Sequence, residues 1–274
     1  MYLLFDIGGT KTRVAFSPDG ENFDDPEIFP TPENFNDGIA AIKEAAKKVS
    51  KGMEVKFACG GVAGSLSKDK RNTLVLPNIR GWEKKPLAEE LEKVLGVAVF
   101  LENDAALGGL GEAVYGAGKG FDIVVYITVS TGIGGSRIVD KKIDANTFGF
   151  EPGHQIIDIL DDGSAKSLLD YASGSSIKRI YNKEAKDIDD EKIWNDLSKK
   201  LAYGIHNVIV FWSPDIVVLG GSIMNSPGIS LEKVKSSLKD TLKIFPEYSK
   251  IEKASLGDYC GLWGAIAYLN NLKK

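Results

Sequence analysis

Two stretches of the chain share a plan that constrains the fold more than any other feature. In the first, the apolar run YLLFDI over residues 2–7 ends in an acid, passes through Gly8-Gly9-Thr10 and continues as the alternating TKTRVAFS. In the second, IVVYITV from residue 123 leads into Ser130-Thr131-Gly132-Ile133-Gly134-Gly135 and then SRIVD. Each pattern predicts a β-hairpin with a glycine-rich turn. Two such units about half a chain apart predict two domains of similar plan.

Between and after these hairpins, helical and strand signals alternate. Apolar spacing predicts helices over 36–50 and 85–95 and strands over 55–59 and 97–101. The second strand delivers Glu102, Asn103 and Asp104 to its C-terminal end, where ligands gather in open α/β sheets. Further helices are predicted over 167–182, 190–212, 228–244 and 259–272, with a buried strand from Ile216 to Leu219 that ends on Gly220-Gly221. Asp258 is the expected N-cap of the last helix, whose Gly261, Gly264 and Ala265 permit close packing. The chain has no low-complexity linker, so the two domains are expected to share a tight hinge.

Composition then narrows the function. With 274 residues, 43% apolar and 26% charged, the chain can build about two cores without disulfides or metals. Its 34 basic and 38 acidic residues give a net charge of -4, which offers no field for nucleic acid or anionic lipid. A small-molecule or nucleotide partner fits better. The two cysteines, Cys59 and Cys260, have no metal-ligand spacing and read as reduced thiols. MYLLFDIGG lacks a basic leader segment, and no apolar run approaches the ~20 residues of a spanning helix. A cytoplasmic protein is expected.

The chemistry concentrates in three glycine-rich bends and one acid. In Asp6-Ile7-Gly8-Gly9-Thr10-Lys11, glycines let backbone N–H groups approach an anion, Thr10 adds a hydroxyl, and Asp6 can hold magnesium through water. The same residues also suit an ordinary turn, and the spacing is not that of a phosphate-binding P-loop. Ser130 to Gly135 repeats the pattern. Gly220-Gly221 would let a flat ring lie against backbone. Asp104 suits a carboxylate that takes a proton from an attacking hydroxyl, and equally suits a helix N-cap. Gly116-Ala117-Gly118-Lys119-Gly120 imitates a nucleotide loop but follows a helix and leads into a strand, so it reads as a helix-ending turn.

In order, DIGGTKTR, GGVAG, PNIRGW, ENDAALGG, STGIGG, EPGH, YASG, VVLGGS and LGDYCGLWGAIAYL make the chain resemble the ROK family (repressors, open reading frames and kinases) of the actin-like and sugar-kinase ATPases. The resemblance implies an α/β fold of two ribonuclease H-like (actin-like ATPase) domains with an interdomain cleft. The small one would cover residues 1–104 and the large one 105–258, with 259–274 packing back on the first. It implies an ATP- and magnesium-dependent sugar kinase, glucose leading as acceptor. N-acetylmannosamine, N-acetylglucosamine, mannose and fructose follow, with polyphosphate as an alternative donor and a non-catalytic sugar sensor as an alternative role. Asp6, Gly8, Gly9, Thr10, Lys11, Thr131 and Gly132 would face phosphates and magnesium, and Gly220 and Gly221 adenosine. Asn78, Asn103, Asp104, Glu151 and His154 would bind sugar, with Asp104 as the base, while His206 stays structural. A homodimer is implied by analogy.

Two departures from the family pattern stand out. The zinc-binding run CxCGxxGC that many relatives carry after the Gly-His pair is replaced by DILDDGSAKSLLDYASG, without a cysteine. No zinc is expected, and packing or hydrogen bonds must hold that segment. Where the family places a sugar-binding glutamate two residues before the Tyr of YASG, this chain has Leu169 and then Asp170, so Asp170 is the candidate substitute.

Overall fold

The computed structural model of the protein describes residues 1–225, 227–247 and 249–273. They form two compact units, one of Met1–Val114, Ala145–Gly149 and Tyr259–Lys274, the other of Tyr115–Asp144 and Phe150–Asp258.

The first unit opens with the hairpin β1 (Tyr2–Ile7) and β2 (Lys11–Ser17), followed by β3 (Glu27–Pro30), α1 (Phe35–Ser50), β4 (Phe57–Val62), α2 (Leu87–Leu95), β5 (Ala98–Asn103) and α3 (Asp104–Val114). Its sheet has the order β3-β2-β1-β4-β5. β1 pairs antiparallel with β2, while β1, β4 and β5 run parallel. Asn34 starts α1 by accepting hydrogen bonds from the Asn36 and Asp37 amides.

β4 runs on through Gly60-Gly61, past the strand end expected at residue 59. This interior strand has no room for a side chain there: a Cβ on Gly60 would stand 2.0 Å from the Phe5 ring. Leu3 and Phe5 are fully buried, each contributing about 1.5–3 kcal/mol of burial free energy. Trp82 of PNIRGW is buried too, seated where Gly38 has no side chain and donating its indole N–H to the Pro32 carbonyl at 2.9 Å.

The second unit repeats the plan. β6 (Ile123–Val129) and β7 (Ile133–Val139) form its hairpin, and β8 (Lys142–Ile143) adds an edge. After β9 (Ile156–Ile159) and β10 (Ala165–Ser167) come α4 (Leu168–Ala172), α5 (Gly174–Tyr181), α6 (Glu191–Trp212), β11 (Ile216–Gly220), α7 (Leu231–Thr241) and β12 (Lys250–Lys253). The main sheet has the order β12-β11-β6-β7-β8, and β9 and β10 form a separate pair. The single helix expected over 167–182 is two, because Ser173 is extended and its hydroxyl caps α5 through the Ser176 amide. Gly116–Gly120 is a turn between α3 and β6, with Gly120 left-handed at φ +95°.

The chain then returns to the first unit as α8 (Cys260–Asn271). A Cβ on Gly264 would stand 1.8 Å from the Leu107 carbonyl oxygen, and one on Gly111 would stand 2.3 Å from that of Cys260. The backbones of α3 and α8 therefore touch without intervening side chains. α3 lies with α8 in the first compact unit. Asp258 is not the cap of α8: a 3-10 turn, Gly257–Tyr259, precedes the helix and Tyr259 holds the cap position. No helix among the described residues is long and apolar enough to cross a membrane.

Candidate active site

The candidate residues fall into two groups, one in each unit. In the first, the parallel register sets Asp6 beside Gly61 and Gly61 beside Glu102, with Ile7, Val62 and Asn103 one residue further on. Asp6 and the start of α3 thus lie at the same sheet end, two strands apart, or about 10 Å. Gly61 fits between them because a Cβ there would come within 3.0 Å of the Asp104 Cα.

The β1–β2 turn is fixed by its own backbone and by a neighbour. The Gly8 amide donates to the Lys11 carbonyl at 3.0 Å, and the Thr31 hydroxyl donates to the Gly8 carbonyl at 2.7 Å. Thr31 had no signal in the sequence; it reaches the turn because β3 pairs with β2. Gly9 faces Asn78 so closely that a Cβ there would stand 2.5 Å from the Asn78 Cβ. The turn and the PNIRGW loop therefore meet at a position open only to glycine. Asn78 also lines a cavity of about 720 Å³ with Arg80, Lys85 and Glu33. Asp6 lies 3.4 Å from the Arg13 guanidinium, its cross-strand partner.

The two readings of Asp104 separate here. The cap is Asn103, whose side-chain oxygen accepts from the Ala106 amide at 3.1 Å while its side-chain N–H₂ donates to the Gly64 carbonyl at 3.1 Å. Asp104 is the first residue of the helix proper, with Oδ1 accepting from the Ala105 amide at 2.8 Å. A carboxylate in the first turn is also favoured by the helix dipole.

In the second unit, the β6–β7 turn is held by the YASG segment. The Gly174 and Ser175 amides donate to the Ser130 and Thr131 carbonyls at 2.7 and 3.0 Å, and the Ser175 hydroxyl donates to Thr131 at 2.9 Å. Gly132 differs from the other glycines of these bends. A Cβ there would meet nothing within 4 Å, and its φ is not left-handed. Nothing in the fold requires glycine at 132, which leaves an open approach to the turn's backbone.

Gly220 and Gly221 have an internal explanation instead. A Cβ on Gly220 would stand 2.6 Å from the Tyr126 hydroxyl, and Gly221, at φ +93°, lies against the Val129 backbone. The need for glycine there is met by β6, and it does not require a ring-shaped ligand.

EPGH sits on β7. A Cβ on Gly135 would come within 2.6 Å of Pro152, and one on Gly153 within 2.3 Å of the Ile133 carbonyl oxygen. The turn is closed by the His154 amide donating to the Glu151 carbonyl at 3.1 Å. Desolvation raises the pKa of Glu151, opposed by nearby His154. His206 bonds its neighbour Asn207 at 3.3 Å, and both line a separate cavity with Ile156 and Tyr203.

The segment that replaces the cysteine run is the β9–β10 hairpin. Asp158 on β9 accepts from the Tyr171 hydroxyl at 2.7 Å and from Lys200 at 3.2 Å, and the Lys200 ammonium lies 4.4 Å from the Tyr171 ring centroid. The hydrogen bond from Tyr171 pulls the Asp158 pKa down and pushes that of Tyr171 up to about 12. Among the described residues no group of three or more His, Cys, Asp or Glu side chains is gathered as a metal site. Asp170, expected as a sugar ligand, takes part in a capping box. Its Oδ2 accepts from the Ser167 amide and hydroxyl, both at 2.8 Å. Those bonds hold its pKa down, and α4 explains the residue without a ligand.

The model of the ROK family matches residues 2–271. A glucokinase from Thermotoga maritima is 28% identical, over 96% of this chain and 95% of that one. The crystal structure of a ROK hexokinase from Thermus thermophilus superposes with a TM-score of 0.84 at 26% identity, covering 100% and 99% of the two chains. A ROK family glucokinase from Streptomyces griseus, solved with glucose and AMPPNP, gives a TM-score of 0.77 at 26% identity, over 97% and 98%. The two five-stranded α/β units thus have the actin-like ATPase fold of the ROK hexokinases. With a family match that runs through both hairpins, both candidate groups and the closing helix, the chain belongs to the ROK family.

Proposed function

We propose that this protein is an ATP- and magnesium-dependent sugar kinase that transfers the terminal phosphoryl group of ATP to a hydroxyl of a hexose, glucose first. The observation that carries this reading is the sheet end of the first unit. A glycine turn presses on Asn78, and Asp6 on β1 and Asp104 at the start of α3 lie at the same sheet end, with β4 between β1 and β5. Phosphoryl transfer asks for that combination: positioned phosphate oxygens, a hard oxygen ligand near them and a carboxylate beside the acceptor.

In this reading Gly8, Gly9, Thr10 and Lys11 of the first unit and Thr131 and Gly132 of the second bind phosphate groups, and Gly220 and Gly221 bind adenosine. Asp6 offers magnesium a carboxylate oxygen through water, as the ion's preference for hydrated oxygen ligands allows. When bound, magnesium supplies charge neutralisation on the phosphate oxygens. Asn78, Glu151 and His154 hold sugar hydroxyls, and the second side-chain N–H of Asn103 joins them. Asp104 takes the proton of the attacking hydroxyl. Asp170, whose Oδ2 is held by Ser167, stays the candidate substitute for the family's glutamate.

Sugar phosphate should form in an assay across glucose, mannose, fructose, N-acetylglucosamine and N-acetylmannosamine, with ADP released when ATP is the donor and a shortened chain left when polyphosphate is the donor. Sugar binding without sugar phosphate formation under either donor would make the protein a sensor. Gly132→Ala is the sharpest companion, because the methyl group meets open space in the fold. Melting should be unchanged within the scatter of surface substitutions, about 0.5 kcal/mol, while KM for ATP rises and sugar affinity holds. An unchanged KM for ATP removes Gly132 from the nucleotide site. Metal analysis of the purified protein checks the hairpin, since one zinc per chain contradicts its metal-free account.

Glu151 predicts a pH dependence. Its ionised form accepts sugar hydroxyls, so affinity is complete above its raised pKa and is lost as pH falls through it, earlier than for an ordinary glutamate. Stability carries the opposite sign: a carboxyl with a raised folded pKa binds its proton more readily in the folded state, so protonation there favours folding. KM for sugar should therefore climb on acidification before any unfolding signal from this group. Glu151→Gln should weaken binding and flatten that climb.

A further inference from the structure

Beside Asp104 lies a charged pair that neither the hairpins nor the sugar residues explain. Glu102, on β5, is buried, its side chain 6% exposed, and forms an ion pair with Lys70, whose side chain is 34% exposed. The other oxygen of Glu102 accepts the Asn103 amide at 2.9 Å. Lys70 sits at the tip of a tight turn, its amide donating to the Ser67 carbonyl at 2.7 Å, in a left-handed conformation at φ +57° that glycine or asparagine adopts more readily. The same loop touches Asn103 directly, where the Gly64 carbonyl accepts from its side chain.

We infer that Lys70 and Glu102 are positioning residues that clamp the Asn103–Asp104 backbone, so that the loop of residues 64–73 sets the aim of the catalytic carboxylate. This rests on the kinase reading. Three features carry it. A buried carboxylate needs a partner, and here the partner is brought from a separate loop in a conformation lysine seldom takes. Glu102 holds the N–H of the peptide that joins it to Asn103, one peptide before Asp104, and Asn103 caps the helix on which Asp104 sits. Phosphoryl transfer is sensitive to the placement of the base, so a small displacement lowers turnover without weakening substrate binding.

Two variants separate aim from mere stability. Lys70→Met leaves Glu102 buried and unpaired, so it should lower both the melting temperature and kcat. Lys70→Met with Glu102→Gln removes both charges, keeps an acceptor of similar shape for the Asn103 amide, and should recover most of the melting temperature. In the double variant kcat should remain down about tenfold with KM for sugar and ATP unchanged, and Lys70→Arg alone should retain turnover. Hydrogen exchange at residues 103–106 should be faster in the double variant than in the parent. A double variant that regains both stability and parental kcat overturns the clamp, as does unchanged exchange at 103–106. If the unmodified protein forms no sugar phosphate from any sugar with either donor, the kinase reading has failed, and the exchange comparison still decides whether the pair holds this backbone.

Discussion

Asp104→Asn is expected to lower kcat for sugar phosphorylation by about 10²–10⁴, the range that a positioned general base supplies, while sugar affinity measured by calorimetry stays within a few fold. The substitution keeps the shape and an oxygen that can still accept the Ala105 amide, as Asp104 does at 2.8 Å. Because Asn103 and not Asp104 caps α3, the helix start keeps its hydrogen bonds and the protein should melt near the parental temperature. A variant with most of its turnover intact would show that the proton leaves by another route.

The second large effect is on stability. Gly264→Ala drives a methyl group to within 1.8 Å of the Leu107 carbonyl oxygen, which is backbone and cannot swing aside. α8 has to separate from α3, and overpacking of that kind costs roughly 3 kcal/mol, or a fall in melting temperature of about 6–12 °C for a protein of this size. Gly261→Ala is the control on the same helix: its Cβ would stand 3.5 Å from the Asp6 side chain, an ordinary contact. Similar melting for both variants would mean that the helices part easily. Because α3 begins with Asp104, the Gly264 variant should also lose turnover while still folded.

Much of the fold was legible because both hairpins pair short, strongly patterned strands across glycine turns. The parallel strands were read short where glycine stands for close packing: Gly60 and Gly61 look like breakers, yet they lie in the middle of the sheet against Phe5 and Asp104. The split of α4 from α5 was hidden because Ser173 carries no breaker signal, and its role depends on bringing α5 to the β6–β7 turn. At the site, motif order carried the reading further than local chemistry did. Local chemistry could not tell which of Asn103 and Asp104 caps the helix, that Asp170 is held by Ser167, or that Gly220 and Gly221 are explained by β6. Thr31 and Lys70 reach the site through contacts distant in sequence, which periodicity cannot convey.

The return of α8 to the first unit has a bearing on how the protein is made. Residues 115–144 and 150–258 must all be synthesised before residues 260–271 emerge to cover that unit's helix α3. During that interval the N-terminal sheet stays incomplete on one side, with apolar surface open to chaperones and to unwanted association. A protein interrupted before its last helix would hold its β1–β2 turn yet lack the support beneath α3.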